Sequence, residues 1–314
     1  MAQFPKEQSA DGKFQRQGDA FRNWVRRDGS SEFAAEAGRY HLYVSLACPW
    51  AHRTILLRTL KGLEGAIGMT VVDPYRDEKG WAFREGPGHS TDPINRFQFL
   101  SEAYRATDPD YDARVTVPVL WDTKTSRIVS NSDDDIMRML NSEFDAFAKN
   151  TVDFYPADLR PKIDAINTLI YDSVNNGVYQ AGIATSQFAY ETAAYAIFDT
   201  LNQLEALLAE RRYLFGDRQT ESDWRLFPTL IRFDEVYHGH FKCNLRRLVD
   251  YPNLFAYVRD LYQQPGVAET VNFGHIKCHY YQTHDEINPN RIIPLGPMID
   301  FSAPHGRENL VMQS

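Results

Sequence analysis

The sequence has few cysteines, no long apolar run and no block of like charges. Its 314 residues contain three cysteines, Cys48, Cys243 and Cys278. Three are too few for a disulfide framework in a chain of this length, and an odd number cannot all pair within it. No segment approaches the roughly 18 apolar residues of a membrane span, and the first residues lack the apolar core of a secretory signal. We therefore expect reduced thiols and a cytoplasmic protein.

The charge balance is acidic, with a formal net charge of −8. A nucleic acid or an anionic lipid surface needs a concentrated basic face on its partner, so both are excluded as main partners. The chain is 43% hydrophobic and 13% aromatic, which is enough to bury a sizeable core in one or two domains. The composition therefore indicates a globular protein.

The pattern of residue types divides the chain into four parts. Residues 1–35 are polar with scattered aromatic residues and no sustained period, which predicts an extended N-terminal arm. Residues 36–150 carry strand and helix signals in the order β-α-β and then β-β-α, as in a thioredoxin-like domain. Residues 151–285 have helical periodicity, and the prolines of residues 286–314 are too close for long helices. The predicted architecture is an α/β domain, an all-α domain and a surface tail.

Turn and cap signals locate elements within the α/β part. Val115, Val117 and Val119 alternate as in a strand, and Thr123–Ser126 can turn the chain back into "RIVS" as a hairpin partner. The acidic stretch Ser132–Asp135 then predicts the start of a helix, because carboxylates favour the positive end of the helix dipole.

The helical part carries its own signals. Thr220 and Asp223 have the spacing of a capping box, which predicts where one helix begins. Apolar residues recur at helical spacing at Ile197, Leu201, Leu204 and Leu208.

Cys48 lies in "VSLACPWAHRT", between a β-branched and aromatic run and the start of a helix. Reduced cysteines are often small core residues, and from the pattern alone that interpretation stays open. A cysteine followed by proline at a helix start, however, lies at the positive end of the helix dipole, where a thiolate is favoured over a thiol. No second cysteine follows three residues later, so an external thiol would have to resolve a mixed disulfide. The motif predicts a nucleophilic monothiol.

Several stretches taken together resemble one family. They are "SLACPWAHRT", "GWAF", "RVTVPVLWD", "YDSVNNGVYQAGIATSQ", "HFKCN", "GVAETVNFGHIKCHYY" and the final "APHGR". The sequence is similar to the glutathionyl-hydroquinone reductases, the Xi class of glutathione transferases. The resemblance implies a thioredoxin-like N-terminal domain, an all-helical C-terminal domain, glutathione as a substrate and a homodimer.

The resemblance also implies the chemistry. Cys48 attacks the sulfur of a glutathione attached to a hydroquinone, the hydroquinone leaves, and a cysteine–glutathione mixed disulfide remains. A second glutathione then releases oxidised glutathione. Two alternatives stay open: an Omega-like thiol transferase or dehydroascorbate reductase that uses the same cysteine, and a non-catalytic binding module with the transferase fold.

Four further positions match residues that contact glutathione in the family. Val117 offers its backbone to the peptide, and the resemblance implies that the bond to Pro118 is cis. Arg114 matches a partner of a glutathione carboxylate, and Trp81 matches a wall of the pocket. From the residues alone, "VPVL" could equally be an edge strand, where proline is tolerated.

The chain departs from the family pattern before the acidic helix. The family reads Asn-Glu-Ser, whereas this chain reads Asn131-Ser132-Asp133, so that hydroxyl and carboxylate have exchanged places. In the family this pair holds the γ-glutamyl end of glutathione, and we expect Ser132 and Asp133 to do so here. The alternative is that the pair merely caps the helix.

The resemblance assigns two tyrosines to the aromatic substrate. Tyr179 and Tyr280 match tyrosines directed at the hydroquinone oxygens, where a hydroxyl can donate to a developing negative charge. Histidines and cysteines in "HGHFKC" and "HIKCHYYQTH" also suggest a zinc site, but their spacing is irregular and the family carries similar residues without metal, so we predict none. These residues are His238, His240, Cys243, His275, Cys278 and His279.

Overall fold

The computed structural model describes residues 7–308 and 310, which divide into two compact units. The sheet unit comprises Gly18–Asp153 and Glu269–Asp285. The helical unit comprises Phe154–Ala268 together with the described residues of Met1–Gln17 and Glu286–Ser314. Residues 269–285 therefore group with the sheet, although their helical periodicity suggests the helical domain. The domain boundaries themselves stay a prediction.

The sheet has four strands, and the predicted hairpin is present. Strand β1 (Tyr40–Val44) pairs in parallel with β2 (Ile67–Val71) and antiparallel with β3 (Val119–Asp122), and β3 pairs with β4 (Arg127–Ser130). Strand β3 begins later than the alternating valines suggest, so Val115 and Val117 precede it. Proline has no N–H to donate to the ladder, and Pro118 accordingly stands just before the strand.

The sheet unit contains the helices α1 (Pro49–Leu60), α2 (Leu100–Thr107), α3 (Asp133–Ser142) and, further along the chain, α9 (Phe273–Thr283). Of these, α1 and α3 begin at predicted signals. Pro49 occupies the first turn of α1, where no N–H is needed. The Ser132 hydroxyl accepts from the N–H of Asp135 at 3.4 Å, so Ser132 is the N-cap of α3.

The helical unit confirms the expected periodicity. Its helices are α4 (Arg160–Ile170), α5 (Gly177–Gly182), α6 (Gln187–Glu210), α7 (Glu221–Leu230) and α8 (Pro252–Tyr262). The predicted apolar residues of α6 are buried, and the capping box of Thr220 and Asp223 starts α7. Two five-residue π-helical turns, Tyr171–Asn175 and Phe233–Tyr237, have no signal in the sequence pattern. No helix within residues 7–308 and 310 has the length and apolar character needed to cross a membrane.

The N-terminal arm contributes to both units. In the sheet unit, the N–H of Asn131 donates to the carbonyl of Phe21 at 3.0 Å, and the N–H of Asn23 donates to Val129 at 3.0 Å. Residues 7–17 of the arm belong to the helical unit. Within residues 7–35 the arm is thus tied by backbone hydrogen bonds and has no long regular element.

The buried side chain of Arg307 ties the tail to the helical unit. Arg307 is 2% exposed, and its guanidinium donates to backbone carbonyls. The acceptors are the carbonyls of Leu208 at 2.9 Å, Arg211, Arg212 at 3.0 Å and Asn253 at 3.3 Å. Three of these residues lie at the end of α6, where carbonyls lack helical partners, so the cation caps that helix.

Candidate active site

Cys48 is placed by the junction between β1 and α1. It is the N-cap residue of α1, with an extended backbone (φ −76°, ψ 122°) and Pro49 in the first turn. The N–H of Cys48 donates to the carbonyl of Ser45 at 3.2 Å, which fixes the turn after the strand. The side chain is half-buried. The sulfur therefore lies at the positive end of α1, where negative charge is stabilised.

The sulfur faces the segment that precedes β3. The Cys48 thiol donates to the carbonyl oxygen of Val117 at 3.7 Å. The Val117–Pro118 peptide bond is cis, as the resemblance implies. Val117 is 5% exposed. The structure thus brings together the predicted nucleophile and the predicted backbone contact for glutathione, although they are 69 residues apart.

The start of α3 is tied to α1 by an ion pair that the sequence analysis missed. Asp133 Oδ2 lies 2.8 Å from Arg53 Nη1, and Arg53 is 2% exposed. The same guanidinium lies 4.6 Å from the ring centroid of Trp50. Because a buried guanidinium is costly without a carboxylate partner, Asp133 is held in one orientation. A residue pair 80 positions apart carries no local signal that could have found it.

Trp81 and Arg114 lie in long segments of the sheet unit. Trp81 is 5% exposed, and its ring stacks on that of His279 with 4.8 Å between centroids and 22° between planes. Arg114 is half-buried, and its carbonyl accepts from the Tyr111 hydroxyl at 2.6 Å. Trp81 is therefore held by α9, while Arg114 follows a hydrogen-bonded turn.

The two predicted substrate tyrosines lie in different units. Tyr280, on α9 of the sheet unit, is 1% exposed and contacts the ring of His284 at 5.5 Å between centroids. Tyr179, on α5 of the helical unit, is half-buried and contacts Phe241 at 5.4 Å and Tyr237 at 6.1 Å. Each tyrosine is packed within an aromatic cluster of its own unit.

The other two cysteines lie in environments that favour the neutral thiol. Burial raises the pKa of Cys243 well above its ordinary value. Burial, with a smaller contribution from Asp73, also raises the pKa of Cys278. Both effects oppose formation of a thiolate. Among residues 7–308 and 310 there is no group of three or more His, Cys, Asp or Glu side chains that could hold a metal ion.

Comparison with known proteins places these residues in one family. Residues 47–143 match the glutathione S-transferase N-terminal domain, and residues 187–260 match the glutathione S-transferase C-terminal domain. The glutathionyl-hydroquinone reductase YqjG of Escherichia coli (strain K12) is 52% identical over 307 residues, which cover 96% of this chain and 94% of that protein. The glutathionyl-hydroquinone reductase PcpF of Sphingobium chlorophenolicum is 50% identical and covers 92% of this chain and 91% of its own.

Solved structures agree with the sequence comparison. Glutathione-bound YqjG from Escherichia coli K-12 superposes with a TM-score of 0.90 at 52% identity, covering 92% of this chain and 96% of that one. The Xi-class transferase from Natrialba magadii superposes with a TM-score of 0.90 at 53% identity, covering 91% of this chain and 88% of that one. The chain belongs to the Xi class of glutathione transferases, the family of the glutathionyl-hydroquinone reductases.

Proposed function

We propose that this protein reduces glutathionyl-hydroquinones to hydroquinones with glutathione, and that Cys48 is the nucleophile. The observation that carries the proposal is the position of the Cys48 sulfur at the N-terminus of α1, facing the Val117 carbonyl. A thiolate is favoured there by the helix dipole. The two relatives named as glutathionyl-hydroquinone reductases support the substrate class.

In the first half-reaction, the Cys48 thiolate bonds to the sulfur of the conjugate and the carbon–sulfur bond to the ring breaks. The ring takes up one proton at the carbon that carries sulfur while its neighbouring hydroxyl loses one, so the electron pair of the broken bond passes to that oxygen as aromaticity returns. This oxygen therefore gains negative charge as the bond breaks, and it then takes up a proton. The hydroquinone leaves, and Cys48 holds glutathione as a mixed disulfide.

In the second half-reaction, the thiolate of a second glutathione attacks the mixed disulfide. Oxidised glutathione leaves and the Cys48 thiolate is regenerated. The sum is one conjugate and one glutathione converted to one hydroquinone and one oxidised glutathione, so atoms and electrons balance. The stretch Cys48-Pro49-Trp50-Ala51 contains no second cysteine, which is why an external thiol completes the cycle.

The glutathione site is proposed to lie beside Cys48. Val117, ahead of the cis bond to Pro118, offers its backbone to the peptide groups of glutathione. A thiolate cannot donate a hydrogen bond, so deprotonation of Cys48 makes the Val117 carbonyl available to the glutathione N–H. Arg114 is proposed as the partner of a glutathione carboxylate, and Trp81 as a wall of the pocket.

Ser132 and Asp133 are proposed to hold the γ-glutamyl end. The Ser132 hydroxyl and the first N–H groups of α3 suit a carboxylate, and the Asp133 carboxylate suits an ammonium. The ion pair with Arg53 at 2.8 Å supports this role, because it fixes the direction of the shorter aspartate side chain. Arg53 acts here as a positioning residue.

Tyr179 and Tyr280 are proposed to donate to the hydroquinone oxygens in the first half-reaction. Their packing against other aromatic rings supports the proposal, because it limits the directions in which each hydroxyl can point. The reaction as written needs no metal.

A homodimer in the cytoplasm completes the proposal. Its support is the similarity to Xi-class transferases together with an acidic composition and few cysteines. Light scattering after size-exclusion chromatography tests the dimer, since the chain mass is 36.2 kDa. A solution mass equal to one chain would contradict it.

A second candidate is an Omega-like thiol transferase or dehydroascorbate reductase. It is favoured by a relative from Schizosaccharomyces pombe named glutathione S-transferase omega-like 2, which is 45% identical and covers 92% of this chain. A low-molecular-weight mixed disulfide and dehydroascorbate are its substrates, whereas the first proposal needs the aromatic conjugate.

The decisive experiment uses the purified protein and a glutathionyl-hydroquinone without added glutathione. We expect release of one equivalent of hydroquinone and an intact mass increased by one glutathione. With glutathione present, double-reciprocal plots should be parallel, because hydroquinone departs before the second glutathione arrives. Turnover of dehydroascorbate or of the mixed disulfide, with no hydroquinone released, would favour the second candidate. No turnover of any of these substrates would indicate a binding module.

A further inference from the structure

The first described residues of the arm are fixed on the helical unit. The Ser186 hydroxyl donates to the carbonyl of Asp11 at 2.8 Å, and the N–H of Thr185 donates to the carbonyl of Gly12 at 3.1 Å. Gly12 has φ +86°, and a Cβ there would meet Ser186 atoms at 2.9 Å. The close approach therefore needs glycine. The arm is docked in the turn between α5 and α6.

This docking brings Arg16 over Tyr179. The guanidinium carbon lies 4.8 Å from the Tyr179 ring centroid and 5.3 Å from that of Phe14. Its Nε donates to Oδ1 of Asn176 at 2.9 Å, and Asn176 stands directly before α5. A guanidinium at this distance from an aromatic ring is attracted by the negative face of the ring.

The Tyr179 ring is therefore held by a cation and by aromatic side chains. Arg16 and Tyr179 are both half-buried, so their attraction is less screened than that of an exposed pair. A neighbouring cation polarises the phenol, which makes its hydroxyl a stronger hydrogen-bond donor. It also stabilises an anion that accepts this hydrogen bond. Arg16 thus links the arm to the proposed site for the aromatic substrate.

We propose that Arg16 is a positioning residue that acts through Tyr179, and that it favours hydroquinones whose oxygens carry negative charge. The inference rests on the proposed function, because it needs Tyr179 to face the aromatic half of the conjugate. In the first half-reaction, charge develops on the hydroquinone oxygens while the carbon–sulfur bond breaks. Electron-poor rings such as chlorinated hydroquinones ionise more readily, so they gain most from the cation.

The second half-reaction offers an internal reference. It transfers the glutathionyl group from Cys48 to a second glutathione and involves no hydroquinone, so Arg16 should not affect it. A residue that only anchors the arm would instead lower thermal stability and slow both steps together. The two roles therefore predict different kinetics.

Lys13 gives a matched control variant. It is a cation on the same arm, half-exposed and paired with Asp11 at 2.8 Å. Its Nζ lies 6.0 Å from the ring of Phe188, which is 68% exposed. Lys13→Gln removes one positive charge from the arm and leaves the contact between Arg16 and Tyr179 unchanged.

The experiment measures each half-reaction separately in wild type, Arg16→Gln, Arg16→Lys and Lys13→Gln. Single-turnover release of hydroquinone is followed with an unsubstituted and a trichlorinated glutathionyl-hydroquinone, and the preformed mixed disulfide is then resolved with glutathione. For Arg16→Gln we expect about tenfold slower release from the chlorinated conjugate and less than about threefold from the unsubstituted one, as loss of a partly buried cation–π contact implies. Arg16→Lys should lie in between, and Lys13→Gln should match wild type.

Two results would overturn the inference while the proposed function stands. In the first, Arg16→Gln slows hydroquinone release from both conjugates by the same factor. In the second, Arg16→Gln slows the resolving step as much as it slows hydroquinone release. If wild type releases no hydroquinone from either conjugate, the proposed function fails and the inference fails with it. Thermal melting of each variant separates these results from loss of the fold.

Discussion

The sheet unit and the helical unit place their candidate functional residues by different means. In the sheet unit, Cys48 stands at a strand–helix junction whose cap and proline are local features of the sequence. In the helical unit, Tyr179 lies on the six-residue helix α5, which has no side-chain cap hydrogen bond and follows a π-helical turn. Its orientation depends on distant residues such as Arg16 and Phe241. Local motifs thus fix Cys48, the proposed nucleophile, whereas tertiary packing fixes Tyr179.

The largest effect is expected from substitution of Cys48, the residue that local motifs place. Cys48→Ser should reduce hydroquinone release at least about a thousandfold, because the serine hydroxyl stays protonated at neutral pH where a thiolate forms. The oxygen adds no volume, so the fold should be retained. The rate is measured by quantifying released hydroquinone, and the fold is checked by circular dichroism.

Cys278→Ser is the matched control, since Cys278 is a half-buried thiol whose pKa is raised by burial. It should keep the wild-type rate within about twofold, below 0.5 kcal/mol of barrier. Activity of Cys48→Ser within tenfold of wild type would show that the nucleophile is misassigned.

The second prediction tests the dependence of the helical unit on distant contacts. Arg307→Ala should lower the free energy of unfolding by about 3 kcal/mol or more, because several buried carbonyls at the end of α6 lose a charged donor. The measurement is urea denaturation followed by tryptophan fluorescence. Arg218 forms an exposed pair with Asp158 at 3.1 Å, so Arg218→Ala should change stability by less than about 1 kcal/mol. Equal losses of unfolding free energy for the two variants would show that Arg307 stabilises the helical unit no more than an exposed ion pair does.

The same comparison explains which features the sequence predicts. Residue type and spacing locate Cys48, the Ser132 cap and the capping box at Thr220, because each depends on a few neighbouring residues. The pairing of Asp133 with Arg53 spans 80 positions and has no such signal.

The aromatic contacts of the helical unit show the same limit. The docking of Arg16 on Tyr179 depends on how the arm crosses the helices, and the sequence pattern of an extended arm does not contain that information. The roles of Trp81, Arg114 and the two tyrosines stay predictions from the family.

The third prediction concerns the exchanged residues at α3. Asp133→Ala should weaken the binding of glutathione in the resolving step by about 1.5 to 3 kcal/mol, which is the range for a hydrogen bond to a charged group. Asp134→Ala is the control, because this neighbour also carries a carboxylate but its side chain is 46% exposed and lies 3.4 Å from Arg53. It should have a much smaller effect.

The helix-cap alternative makes the opposite prediction for α3. If Ser132→Ala and Asp133→Ala both leave the glutathione dependence unchanged while they lower the melting temperature, Ser132 only caps the helix and Asp133 only pairs with Arg53. The γ-glutamyl contacts would then lie elsewhere in the sheet unit.

The smallest effect is expected on the pH dependence of stability, to which one buried histidine from each unit contributes. Burial lowers the pKa of His41 in the sheet unit and of His240 in the helical unit to about 4, from an ordinary value of 6.5. In the unfolded chain each imidazole takes up its proton near pH 6.5, while in the folded protein it stays neutral until about pH 4. The unfolded state therefore binds more protons within this window, and stability falls as the pH drops through it.

Because of each histidine, the free energy of unfolding should fall by about 1 kcal/mol when the pH drops from 7 to 5.5. The fall levels off once the pH is below the pKa of the histidine in the folded protein. His41→Gln and His240→Gln should each remove one such contribution from the pH dependence, whatever they do to stability at pH 7. Urea denaturation at both pH values measures the difference. If one variant flattens the dependence and the other does not, the units differ in how fully they desolvate a buried imidazole. If neither does, the acid sensitivity resides in groups other than these two histidines.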